Sequence, residues 1–62
     1  MENETQIDSQ HKVVYYYDRK SWWAYVSDLD GNQLAPAEFA HDKLQSIISA
    51  VRTFDFIRKN DG

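Results

Sequence analysis

Two runs of β-branched and aromatic residues, Val13-Val14-Tyr15-Tyr16-Tyr17 and Trp22-Trp23-Ala24-Tyr25-Val26, stand four residues apart in the chain. Residues of these types fit a pleated, half-buried surface, and Asp18-Arg19-Lys20-Ser21 between them has the length and chemistry of a hairpin loop. A β-hairpin is therefore the element around which everything else must be arranged. Side chains alternate along a strand, so Tyr15 and Tyr17 point one way and Tyr16 the other. In the second run Trp22, Ala24 and Val26 oppose Trp23, Tyr25 and Ser27 in the same manner. Bulky rings thus emerge on both faces of one ribbon.

The second run leads into Asp28-Leu29-Asp30-Gly31-Asn32, where Asp30-Gly31 suits the positive φ angles of a type I′ hairpin turn. A third, short strand is expected at about Asn32 to Ala35. Pro36 has no N–H to give to a ladder, so it closes that strand or opens a helical turn through Ala37-Glu38-Phe39-Ala40. Asp42 followed three residues later by Gln45 has the form of a capping box, and Leu44, Ile47, Ile48, Val51 and Phe54 recur at helical spacing. This predicts a helix from about Asp42 to Phe56. Gln45, Ser46, Ser49, Arg52 and Thr53 fall on its polar side, and Arg58 and Lys59 suit the negative pole of the helix. The expected fold is α+β in β-β-(β)-α order: a two- or three-stranded antiparallel sheet, from about His11 to Ala35, packed on one C-terminal amphipathic helix. Residues 1–10 offer only Ile7 as an apolar anchor and read as a disordered acidic tail, residues 11–59 as a single small domain, and residues 60–62 as a frayed end.

A chain of 62 residues supports one core. Domains of this size bury only about 60% of the surface their unfolded chains expose, so stability is marginal unless something staples the fold. Cysteine is absent, which excludes disulfides and thiolate metal sites. Nine aromatic residues and an apolar fraction of 42% suffice for a core, and self-association is the natural supplement. A net charge of −3 argues against a protein whose affinity comes from neutralising phosphates. No apolar run approaches the ~20 residues that span a bilayer, and Met1-Glu2-Asn3-Glu4-Thr5 is the opposite of a secretory signal. A cytoplasmic protein with no membrane partner is expected.

No motif fixes a chemistry. Asp28-Leu29-Asp30-Gly31-Asn32 matches the opening of a calcium-binding EF-hand loop, but Gln33 stands where glycine makes the sharp turn and Phe39 where the bidentate glutamate belongs. The segment reads as a hairpin turn. His11 and His41 lie thirty positions apart, outside any metal-ligand spacing, and Ser21, Ser46 and Ser49 have no His and Asp arrangement that spacing nominates as a triad. A chain this short also struggles to enclose the ~300 Å³ or more typical of small-molecule sites. No catalytic residue, metal, cofactor or small-molecule substrate is expected.

What remains is a question of cover. One helix blankets one face of a small sheet, so tyrosine or tryptophan surface on the other face stays open to solvent. Such rings can serve only as cross-strand pairs that stabilise a minimal sheet. They can also be contact anchors, and the candidate partner-binding residues are then Tyr16, Arg19, Trp22, Trp23 and Tyr25, although periodicity does not say which face is free. The function expected from them is that of a non-enzymatic interaction module, an accessory or regulatory protein that binds a protein partner or forms a homodimer. The alternative is a nucleic-acid-binding protein that stacks bases on the same hairpin, with Arg19, Lys20, Arg52, Arg58 and Lys59 on the phosphates.

The order of two strands, Asp28-Leu29-Asp30-Gly31, a short strand and an amphipathic helix resembles the N-terminal domain of HicB-type antitoxins, in which a similar Asp-Leu-Pro-Gly turn follows the second strand. The resemblance covers residues 11–54. Here Asp30 replaces the proline, and Pro36 interrupts the approach to the helix. The same order is also similar to the arm-binding domain of phage integrases, which are basic where this chain is acidic. Both resemblances imply a small sheet backed by one helix, and neither transfers a function.

Overall fold

The computed structural model describes residues 2–61, and the side chains of residues 2–60. Among these residues the chain forms four strands and one helix: β1 (Asn3–Gln6), β2 (His11–Asp18), β3 (Ser21–Asp28), β4 (Glu38–Ala40) and α1 (Lys43–Asp61). The strands make one antiparallel sheet in the order β1-β2-β3-β4, with the helix packed on one face. The class is the α+β arrangement expected, with one strand more than the periodicity indicated. The helix is not long and apolar enough to cross a membrane.

The central hairpin pairs His11 with Asp28 and runs in unbroken register to Asp18 opposite Ser21. Arg19 and Lys20 form the two-residue turn with φ of 53° and 63°, the doubly positive backbone of the I′ type. The Asp-Gly segment makes a different turn. Asp28 N–H donates to Asn32 O at 3.0 Å, which closes a three-residue loop in which Gly31 alone has a positive φ, of 95°. The I′ geometry expected at Asp30-Gly31 is thus found at Arg19-Lys20. Gly31 is the bulge residue of this loop, which leaves Ser27 opposite Gln33.

Residues 32–35 only begin a strand. Gln33 bridges Ser27, and Leu34 N–H donates to Val26 O at 2.9 Å. Unbroken pairing would next set Pro36 opposite Ala24, where a missing N–H interrupts the ladder. Ala24 faces Glu38 instead, so two residues bulge out and the strand resumes as β4. This places a strand where a helical turn was the other expectation. Ala35, within the bulge, drops into the core.

Residues 3–6, read from composition as a disordered tail, pair with Lys12–Tyr15 as β1. All four side chains are exposed. The strand forms because Val13 and Val14 are buried, at 0% and 3% exposure, and their edge N–H and C=O groups need partners. The connection back to β2 is tied by the Asp8 carboxylate, which accepts the Gln10 N–H at 2.8 Å and meets His11 Nδ1 at 2.9 Å. At the other end the helix continues through residues 60 and 61, part of the stretch expected to fray. Met1 and Gly62 lie outside the described residues.

Asp42 caps the helix as its position indicated, its Oδ1 accepting the Gln45 N–H at 2.8 Å. The buried face differs from the expected stripe. Val13, Ala24, Val26, Ala35, Ala50 and Phe54 form the core, with Tyr15, Ile47, Val51 and Ile57 packed against it. Leu44 is 63% exposed, whereas Ser46 is fully buried with its hydroxyl donating to Lys43 O at 2.7 Å. Small side chains at Ser46, Ala50 and Ala24 allow helix and sheet to approach closely, and a leucine is displaced from that line of contact.

Candidate functional site

Strand alternation sorts the hairpin side chains without ambiguity. Val13 and Val26 are paired and lie in the core under the helix, so Tyr15, Tyr17, Trp22 and Ala24 share the helix side. The uncovered face carries Lys12, Val14 and Tyr16 from β2, Trp23, Tyr25 and Ser27 from β3, Phe39 from β4, and Glu4 and Gln6 from β1. Register arranges these in rows. Tyr16, Trp23 and Phe39 stand side by side across three strands, Glu4, Val14 and Tyr25 form the next row, and Gln6, Lys12 and Ser27 the third. The apolar band is therefore two rows deep, with a polar row beyond it.

The rings of this face lie across the sheet. Trp23 and Phe39 have centroids 5.2 Å apart at a tilt of 41°. The indole Nε1–H of Trp23 donates to Asp18 O at 3.0 Å, which satisfies its one polar atom and holds the ring in place. Tyr16, Trp23 and Tyr25 are half-buried, whereas Phe39 is 65% exposed. Burial raises the Tyr25 phenol above its ordinary value, and the carboxylates of Glu2 and Glu4 raise it further. The β1 side of the band thus carries negative potential, only partly offset by Lys12, whose Nζ sits 2.8 Å from Glu4 Oε1.

Of the five residues nominated from the sequence, Tyr16, Trp23 and Tyr25 come together on this face. Trp22 does not. It lies on the helix side, with ring centroids 6.5 Å from Tyr15 and 5.5 Å from Tyr17, and Lys43 Nζ sits 5.8 Å above Tyr15. Arg19 is at the exposed hairpin tip, 3.7 Å from the Asp18 carboxylate. Sequence reasoning missed Phe39 as a member of the site; Val14 shares these rows but is buried and gives a partner no surface. The signal for Phe39 was its isolation as the one large apolar residue between Pro36 and Leu44, which only strand pairing turns into a place beside Trp23.

The cations named for phosphate contact are dispersed. Arg19 and Lys20 are at the hairpin tip, whereas Arg52, Arg58 and Lys59 ride on the helix, on the opposite side of the sheet from the uncovered face. Arg58 stacks over Phe54 at 4.9 Å and pairs with Asp55 at 2.7 Å.

A cleft of about 340 Å³ lies where β4 turns into α1, lined by Ser21, Phe39, Ala40, His41, Asp42 and Gln45. Asp42 Oδ1 is taken by the helix cap. Among the described residues no group of three or more His, Asp or Glu side chains is placed to hold a metal ion. The Asp28 carboxylate, the first oxygen of the calcium-loop resemblance, accepts the N–H of Asp30, the N–H of Asn32 and the side-chain amide of Asn32 at 2.9 to 3.0 Å. These bonds, the Asn32 side chain first, hold its pKa below the ordinary 3.8. It acts as a clamp on its own turn.

Comparison of the chain with protein-family models, with curated proteins and with solved structures gives no match, so the meaning of this surface rests on its own geometry.

Proposed function

We propose that this protein is a small non-enzymatic interaction module, accessory or regulatory in role, that binds a protein through the uncovered aromatic face of its sheet. The observation that carries this reading is the row Tyr16, Trp23, Phe39, three aromatic side chains on adjacent strands with no element of the described chain over them. Aromatic side chains are favoured contact anchors because they offer large area with few rotatable bonds, and a face of this type reads polar when it serves only solvation. Arg19 at the hairpin tip is the flanking polar contact. Trp22 has no part in this face.

Capture from the native cell extract tests the reading. Wild type is compared with a Trp23→Ala, Phe39→Ala double variant and with Trp22→Ala as the opposite-face control, each first shown to be folded by circular dichroism. The expected outcome is a partner retained by wild type and the control and lost by the double variant. Identical partner lists from all three folded proteins would remove the basis for the site.

A further inference from the structure

The size and charge of the uncovered face narrow the kind of partner it takes, an inference that rests on the interaction-module reading above. Three strands about 4.8 Å apart and two side-chain rows about 7 Å apart give the apolar band a footprint on the order of 200 to 300 Å². A stable symmetric dimer uses about 800 Å² per protomer, so a second copy laid face to face on this band is underprovided. The band matches a single secondary-structure element.

An extended segment is a poor occupant of the band. Laid flat on Tyr16, Trp23 and Phe39, its backbone N–H and C=O groups would lose water and find no partner, because the sheet's own groups are used within its ladders. Strands join sheets at edges, and the edges here are β1, with four exposed polar side chains, and the three-residue β4. A helix satisfies its own backbone and presents only side chains. Charge adds the last element. Glu4 borders the band on β1 and is paired with Lys12, and Glu2 adds a second carboxylate that acts on the same Tyr25 phenol, so two carboxylates stand against one ammonium on this side. A cation approaching from this side meets carboxylates and the faces of aromatic rings, both attractive, whereas a phosphate meets repulsion.

We infer that the uncovered face binds a short amphipathic helix of a partner protein, whose apolar stripe seats on Tyr16, Trp23, Tyr25 and Phe39 and whose basic flank lies along Glu2 and Glu4. Such a helix would form the third layer of the domain, opposite α1.

The test uses the full chain, labelled with nitrogen-15, and four probes: a 14-residue leucine/lysine peptide of helical period, its leucine/glutamate counterpart, a leucine/lysine peptide of alternating period, and a 15-nucleotide oligothymidylate. The helical lysine peptide is expected to produce saturable shifts in the Trp23 indole N–H and in the amides of Tyr16, Tyr25 and Phe39. Its affinity should exceed that of the glutamate peptide at least ten-fold and fall at least ten-fold in Phe39→Ser, whose side chain is exposed and whose loss leaves the core intact. Equal or tighter binding of the alternating peptide at these residues would overturn the helix and leave the interaction module standing. Shifts on this face from the oligonucleotide alone would overturn both. Shifts from the helical peptide scattered over Asp28 and Asp30, or absent from the face, would also overturn the inference, while the extract capture continues to judge the module by itself.

Discussion

Arg19 and Lys20 both occupy left-handed backbone, at φ of 53° and 63°, in the turn that joins the two longest strands. For an L-residue with a Cβ that region costs about 1–2 kcal/mol, which is why Asn-Gly dominates turns of this shape. Replacing Lys20 by Gly removes most of this strain and adds an unfolded-state entropy cost of about 0.5–1 kcal/mol, for a net gain of roughly 0.5–1 kcal/mol. Arg19→Asn contributes a few tenths more, because asparagine tolerates the conformation. The double variant is therefore expected to be more stable by about 1 kcal/mol, which for a domain of this size raises Tm by about 4–8 °C. Thermal and urea denaturation followed by circular dichroism measure it. Lys20→Ala is the necessary companion, since it removes the charge and keeps the Cβ. An unchanged or lowered Tm in the double variant, or an equal gain in Lys20→Ala, would refute the reasoning, the latter by assigning the effect to charge. A confirmed gain would mean that the natural turn keeps two exposed cations at the hairpin tip at the expense of stability.

Three further outcomes follow from the packing. Phe54→Ala removes the largest side chain of the core and is expected to cost about 3–5 kcal/mol, comparable with the whole stability of roughly 3–9 kcal/mol for a chain this long, whereas Leu44→Gln should change the stability measured by urea denaturation by less than about 0.5 kcal/mol. Asp42→Ala deprives the Gln45 N–H of its acceptor and should lower stability by about 1 kcal/mol in the same assay. Asp8 and Asp28 both titrate below 3.8 in the folded chain, Asp8 chiefly through the Gln10 N–H and Asp28 chiefly through the Asn32 side chain. The folded state thus binds fewer protons than the unfolded one in acid. Their stabilisation is present above the ordinary carboxylate value and is lost as pH falls through the depressed folded values. Urea midpoints measured from about pH 5 down to about pH 2 should decline, with a shallower decline in Asp28→Asn.

Local chemistry was enough to read the hairpin, the helix and its cap. Val13 to Tyr17 and Trp22 to Val26 have no other comfortable conformation, and Asp42 with Gln45 marks the helix start through a bond that spans three residues. Alternation puts Trp23 and Tyr25 on one face of their strand, and it is the register set by the two-residue turn at Arg19-Lys20 that adds Tyr16 to them. Other features depend on partners distant in sequence. The strand at residues 3–6 buries nothing of its own and exists because β2 has an unpaired edge, so no hydrophobic period announces it. Leu44 and Ser46 exchange places because the helix approaches the sheet over small residues, which a pattern of hydrophobicity scores as neutral. The choice of Trp23 over Trp22, and the arrival of Phe39 beside it, were decided by which face α1 covers and by the two residues that bulge around Pro36. Strand periodicity determines that two faces differ, but which of them meets water depends on how the whole chain packs.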